Sequence, residues 1–347
     1  MAVDAPRPIR RAGIRQVADL AGVSESTVSN VLNNPHIVAP ATRERVERAM
    51  NDVGFVRNRA ARQLRGAPSS VIGCVLLDTA NTFFAEVARG IEDRLAEADC
   101  MHLLCSSDVQ PERERRYLHM LEEHGVRGII VNPVRQDLTP LIELSRRGVP
   151  VVLLDHPPDG APLCAVTVDN ALGGQRAAEH LLALGHTRIA FLRTAEAVNA
   201  TVQRQAGARH ACLTAGLDPD GALIDLPVSR PTSSGATEAA VTQLLHQDPR
   251  PTAIICFNDV AAVRVLRGLR RAGIRVPEDM SVVGYDDVDF ASELSPALTT
   301  VRQPRHELGR AAVDLLLAEH DHGHTHRELV FRPDLILRQS TAPPRPA

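Results

Sequence analysis

Three places in this chain combine residue types and spacings that could do chemistry. The first is S-E-S-T-V-S-N at 24–30, which sets a carboxylate, hydroxyls and a carboxamide close together. An Asn carboxamide can bond adenine at two points, a Glu carboxylate accepts from the cytosine amino group, and a Ser hydroxyl serves either role. Glu25, Ser26 and Asn30 therefore suit base edges, although Glu25 equally suits the positive end of a helix. The second place is a set of polar residues that end short apolar runs, including Asp155, Asn258, Asp259 and Asp286. Such residues either cap turns and helices or, at the carboxyl ends of parallel strands, face a ligand. The third is the run H-D-H-G-H-T-H at 320–326, whose imidazoles could hold a metal ion. It reads instead as a polar surface loop between the last long helix and the final strands.

The usual handles for catalysis are missing. There is no G-x-G-x-x-G, P-loop, H-E-x-x-H or G-x-S-x-G, so no enzyme activity and no cofactor is expected. The six cysteines sit mostly within apolar runs, with no C-x-x-C and no metal-type spacing, and read as reduced core residues. No apolar run approaches the ~18 residues of a membrane span, and the arginine-bearing start has no apolar segment behind it, so a cytoplasmic protein is expected.

Charge is unevenly placed. Residues 1–66 hold 11 arginines against 6 acidic residues, whereas the remainder holds 28 against 36, and lysine is absent throughout. A basic first fifth suits a headpiece that meets phosphates.

The elements that would position these residues follow from periodicity. Ile14, Val17, Ala18 and Ala21 recur at helical spacing until Gly22, Ser24 is a good N-cap for a second helix carrying Val28, Val31 and Leu32, and a third helix starts near Pro40 and stops at Gly54. The A-x-x-x-G step from Ala18 to Gly22 lets two helices approach at a tight turn, as a helix-turn-helix needs. Residues 56–66 carry four arginines and are too few for a stable isolated helix, so they read as a conditional linker. From Val71 onward, strand-like runs at 71–78, 102–107, 128–134, 149–155, 188–193, 252–259 and 280–287 alternate with helices near 84–98, 112–124, 138–147, 172–184, 203–215, 235–247, 259–272 and 305–319. These are too many βαβ units for one comfortable sheet, and two similar lobes fit better. The expected class is α/β, with an all-α helix-turn-helix headpiece over 1–56, a hinge and linker over 57–70, and a two-lobed doubly wound ligand and dimerisation domain over 71–347.

Together these residues resemble the lac repressor and galactose repressor family of bacterial regulators. The likeness rests on R-Q-V-A-D-L-A-G-V-S-E-S-T-V-S-N-V-L-N-N in the headpiece, T-R-E-R-V-E-R-A-M (42–50), G-F-V-R-N-R-A-A-R-Q-L-R (54–65), N-T-F-F-A-E (81–86), E-H-L-L-A-L-G-H (179–186), F-N-D (257–259), G-Y-D-D (284–287) and P-A-L-T-T-V-R-Q-P (296–304). The resemblance implies a periplasmic-binding-protein-like ligand domain and a homodimer on a near-palindromic operator. It implies DNA contacts from Arg15, Ser24, Glu25, Ser26, Thr27, Asn30, Asn58, Arg62, Leu64 and Arg65. Residues 57–65 would form a hinge helix ordered on DNA, with Leu64 as the minor-groove wedge. It also implies an effector site built from Asn81, Phe83, Phe84, Asp155, Arg204, Arg230, Asn258, Asp259, Asp286 and Gln303.

Two departures matter for the DNA half. Arg57 stands where the family usually has proline, and Asn30 where it often has arginine, which bears on the operator bases. In the effector half, Arg230 replaces a common aromatic platform, so an acidic metabolite joins sugars as a candidate effector. The implied function is a ligand-controlled transcription regulator, a repressor by family pattern. An exported solute-binding protein is disfavoured by the basic headpiece, and an enzyme on the same fold by the absent nucleotide fingerprint.

Overall fold

The computed structural model describes residues 12–56, 69–228, 234–321 and 323–345, in two compact units divided after residue 68. Asn58, Arg62, Leu64, Arg65 and Arg230 lie outside the described residues.

The first unit is helical. Helix α1 (Ile14–Ala21) ends at Gly22, whose φ of +62° is left-handed and carries no Cβ penalty in glycine. Val23 N–H then donates to the Ala18 carbonyl at 3.0 Å and closes the turn. Helix α2 (Glu25–Asn33) is capped by Ser24, whose Oγ accepts the Thr27 N–H at 3.2 Å. A 3-10 turn (Pro35–Ile37) leads to α3 (Pro40–Asp52), where Pro40 sits in the first turn and its missing N–H costs nothing. Val17, Ala18, Val28, Val31, Val46 and Ala49 make the core between the three helices. Fully burying one such valine contributes about 1.5–3 kcal/mol, so a few of them hold α2 in place.

The second unit begins with β1 (Val71–Leu76), α4 (Thr82–Ala96), β2 (Met101–Ser106), α5 (Pro111–Glu123), β3 (Gly128–Val131), α6 (Thr139–Arg146), β4 (Val151–Leu154) and β5 (Cys164–Val168). It continues through α7 (Asn170–Ala183), β6 (Ile189–Thr194), α8 (Asn199–Thr214), the single-turn α9 (Pro219–Ala222), β7 (Leu223–Val228), α10 (Ser234–Leu245), β8 (Ala253–Cys256), α11 (Asp259–Arg271) and β9 (Ser281–Val283). A 3-10 turn (Asp289–Ser292), β10 (Thr300–Arg302), α12 (Arg305–Ala318), β11 (Glu328–Phe331) and β12 (Asp334–Ile336) complete it.

Two parallel sheets result, ordered β11-β5-β4-β3-β1-β2 and β7-β6-β8-β9, with a small antiparallel β10-β12 ladder. The chain leaves the first lobe after β5, returns through β10 into α12 and β11, and crosses again into β12. Inside the second lobe α7 and α8 touch backbone to backbone. A Cβ on Gly174 would fall 1.9 Å from the Arg204 carbonyl oxygen, and one on Gly207 would fall 1.8 Å from that of Ala171. This closeness fixes where Arg204 enters the cleft.

The structure differs from the periodicity reading at several elements. β5, β7, β10, β11 and β12 have no counterpart among the expected strand runs. β7 carries Asp225 and Pro227, which weaken a strand pattern, but it is a sheet edge, where a missing ladder donor is tolerated. α8 starts at Asn199 rather than near 203, with no side-chain cap to announce it. The expected strands at 128–134, 252–259 and 280–287 end early, at Val131, Cys256 and Val283, and their polar tails turn into loops. All six cysteines are free thiols, four buried and two half-buried.

Candidate functional site

At the carboxyl ends of the strands lies a cleft of about 650 Å³, including its open mouth. It is lined by Leu77, Asp78, Asn81, Phe83, Phe84 and Asp155 from the first lobe and by Thr194, Thr201, Arg204, Asn258, Arg264 and Asp286 from the second, among others. Seven of the ten expected effector residues are thus brought together: Asn81, Phe83, Phe84, Asp155, Arg204, Asn258 and Asp286. Two others sit behind the wall, as described below.

Each side chain is held by its element. Asn81 caps α4, its Oδ1 accepting the Phe83 N–H at 3.0 Å, while its Nδ2 reaches the other lobe and donates to Asp286 Oδ2 at 3.2 Å. That cap presents Phe83 and Phe84, whose rings meet edge to face at 5.0 Å. Gln303 Nε2 donates to the other Asp286 oxygen at 2.7 Å, so Gln303 orients Asp286 without lining the cleft. Asn258 caps α11 through its Oδ1 and the Ala261 N–H at 2.8 Å, yet still lines the cleft.

Arg204 is the electrostatic centre. Its Nε donates to Asn170 Oδ1 at 2.8 Å, its Nη1 to the Phe257 carbonyl at 2.6 Å, and its guanidinium stacks 3.5 Å from the centre of the Tyr285 ring. Asn170 in turn donates to Asp155 Oδ1 at 2.7 Å. Burial pushes the Asp155 and Asp286 carboxyls up, Asp286 to about 6, and the Arg204 charge opposes the rise in both. Asn170 and Tyr285 were missed in the sequence. Asn170 follows Asp169, which caps α7 by accepting the Leu172 N–H at 2.9 Å, and its role, like that of Tyr285, shows only when Arg204, distant in sequence, lies against it.

Asp259 is placed differently from expectation. It is fully buried and does not line the cleft. Its Oδ1 accepts the Thr300 hydroxyl at 2.6 Å and its Oδ2 the Val288 N–H at 3.0 Å, so it ties α11 to the loop after β9 and to β10. Burial first, then the neighbouring Asp286 charge, raises its carboxyl to about 8. An acid whose pKa rises on folding stabilises the fold at low pH, and the stability is lost as pH rises from about 4 through about 8. The Tm of wild-type protein is therefore expected to fall between about pH 5 and pH 8 more steeply than that of Asp259→Asn, the two profiles becoming parallel above that range. Tm profiles that are parallel within that range as well would refute this placement.

In the headpiece, Ser24, Glu25 and Ser26 are at the first turn of α2 and Arg15 is on α1, with Glu25, Ser26 and Arg15 open to solvent, while Asn30 is half-buried. Ser24 Oγ also lies 2.7 Å from Ser26 Oγ and 2.8 Å from Thr27 Oγ1, so it is engaged locally. Val28 and Val31 anchor the opposite side of the helix. The exposed turn is therefore presented by a fixed helix, as major-groove reading requires. Among the described residues, no helix is long and apolar enough to cross a membrane.

Comparison with known proteins agrees with both halves of this picture. Residues 13–58 match the model for bacterial regulatory proteins of the lacI family, and residues 178–341 match a periplasmic binding protein-like domain. The chain is 36% identical over 334 residues to the HTH-type transcriptional repressor PurR of Photobacterium profundum, covering 95% of this chain and 98% of that protein. It is similar to the lac repressor dimer bound to operator and the anti-inducer ONPF, with a TM-score of 0.82 and 29% identity over 96% of this chain and 100% of that one. It is also similar to a LacI family transcriptional regulator from Enterococcus faecium with bound ribose, with a TM-score of 0.70 and 32% identity over 79% of this chain and 99% of that one. A helix-turn-helix unit followed by a two-lobed binding domain, matched along nearly its whole length by such a relative, places this chain in the lacI family of bacterial regulatory proteins, as a helix-turn-helix transcriptional regulator.

Proposed function

We propose that this regulator represses by binding a near-palindromic operator as a homodimer, and that a small polar effector between its lobes sets its operator affinity. One observation carries the effector half of this reading. Asn81 of one lobe and Asp286 of the other meet across the cleft at 3.2 Å, so an occupant that competes for either group changes what joins the lobes. A ligand shifts such an equilibrium by its difference in affinity for the two arrangements.

The cleft chemistry favours a neutral, hydroxyl-rich ligand. The carboxylates of Asp78, Asp155 and Asp286 are met by the cations of Arg204 and Arg264, so the described lining has little net charge to offer an ion. Carboxylates and a guanidinium bond vicinal hydroxyls, while Phe83 and Phe84 cover an apolar ring face. The bound ribose of the Enterococcus faecium relative fits this class. An acidic metabolite is the second reading and rests on Arg230.

On the DNA side, Ser24, Glu25, Ser26, Thr27, Asn30 and Arg15 face the major groove and its phosphates. Asn58, Arg62, Leu64 and Arg65 serve the hinge, with Leu64 wedging the central base step. The dimer forms along β2, an open sheet edge on which Met101, Leu103 and Leu104 are exposed apolar residues. The protein acts in the cytoplasm, where its operator is.

Selection of DNA by the full-length protein from a random-sequence pool tests the reading. Enrichment of two inverted half-sites is expected. A pool that stays random after repeated rounds sinks it.

A further inference from the structure

The histidine run after α12 does not stand alone. β11 pairs in parallel with β5, Glu328 opposite Ala165, and this pairing draws the loop before it over Cys164, the first residue of β5. Cys164 Sγ lies 3.1 Å from His324 Nε2, Glu319 Oε1 lies 3.3 Å from the same nitrogen, and His326 Nδ1 lies 3.1 Å from Glu319 Oε1. One ligand atom from each of the four residues falls within 4.8 Å of every other. Cys164 is fully buried, the Glu319 and His324 side chains are 10% exposed, and His326 is 38% exposed.

The donor set and its spacing are those of a soft-to-borderline divalent cation. A tetrahedral zinc ion with bonds of about 2.0–2.3 Å separates its ligand atoms by ~3.3–3.8 Å, and the observed contacts need only small adjustments to reach that. A sulfur and two imidazoles exclude calcium and magnesium, which take oxygen. A thiolate and a carboxylate together balance a 2+ ion. The frame is also built: Ala165 N–H donates to the Arg327 carbonyl at 3.0 Å, and the Thr167 hydroxyl donates to Glu328 Oε1 at 2.8 Å, fixing the loop exit on β5.

We propose that Cys164, Glu319, His324 and His326 bind a divalent transition-metal ion of the zinc class, which clamps the end of α12 and the following loop onto β5. The site sits where the parallel strands begin, at the rim opposite the effector cleft. Val71, where the chain enters this unit, is at the same rim, three strands away, or ~14 Å at the usual strand spacing. β5 lies toward the far side of the sheet from the β2 edge, so the site and the proposed dimer edge do not compete.

The test is a titration of untagged, metal-stripped, full-length protein with Co²⁺ alone, followed by Zn²⁺ competition. One equivalent of Co²⁺ is expected to bind, with a sulfur-to-cobalt charge-transfer band and intense tetrahedral visible absorption, both bleached by Zn²⁺. Cys164→Ser is expected to abolish the charge-transfer band. Because Cys164 is buried, His326→Gln at the exposed position provides a second variant, expected to weaken binding by more than the ~10–100-fold typical of changes outside the ligand sphere. Absence of the sulfur band in wild-type protein overturns the site. So does undiminished affinity in folded Cys164→Ser, which would assign the metal to the histidine run alone, or in His326→Gln, which would remove His326 from the ligand set.

Discussion

Arg204→Gln is expected to weaken effector binding by about 100-fold while operator affinity of the effector-free protein stays within a few-fold. A hydrogen bond to a charged group contributes about 1.5–3 kcal/mol, and each 1.4 kcal/mol is tenfold in affinity. Glutamine keeps polarity but loses the charge, the stacking on Tyr285 and the fork that bonds Asn170 and the Phe257 carbonyl. Asp155 and Asp286 would then lose the cation that holds their carboxyls down, and the cleft would bind hydroxyls with fewer ionised acceptors. Calorimetry with the effector and fluorescence anisotropy with the operator separate the two effects. An unchanged effector Kd, even with a lowered Tm, would make Arg204 an internal brace and nothing more.

The second large effect belongs to Asn30. Asn30→Ala is expected to remove one base contact from each half-site, and a good bidentate pair discriminates by about 1–3 kcal/mol. A dimer loses it twice, so specific affinity falls by roughly 30-fold to 10⁴-fold. Binding to random DNA, which rests on phosphates, keeps its affinity and its salt slope. Val28 and Val31 hold α2 from its other side, so the truncation leaves the helix in place. Equal losses on operator and random DNA would show that Asn30 does not read a base.

Local signals carried much of the fold. Gly22 and Ser24 mark the turn of the headpiece because one needs a left-handed φ and the other a side-chain oxygen, and both needs are visible in residue type. The first lobe's central strands were legible as β-branched runs because parallel strands are buried on both faces. β11 and β12 were not, because short strands of mixed polarity owe their pairing to partners distant in sequence, whereas β5 is a fully buried run of the same kind that the periodicity reading passed over. The cleft divides in the same way. Asp155, Asn258 and Asp286 could be singled out because they end short apolar runs, while Asn81 was reached through the family resemblance. Asp259 looked equivalent by that rule, yet Thr300 and Val288 draw its carboxyl into the interior. The cluster proposed to ligate metal was half visible: the histidines announced themselves, but only the β5-β11 pairing brings Cys164 to them, 160 residues away.

The central claim is that cleft and headpiece are coupled in one protein. It is tested most directly by measuring operator Kd across an effector titration and effector Kd with and without saturating operator. Allosteric coupling of about 1–3 kcal/mol predicts a change of ~5- to 150-fold in operator Kd, and linkage requires the same factor in effector Kd. An operator Kd that stays constant at saturating effector would contradict the account.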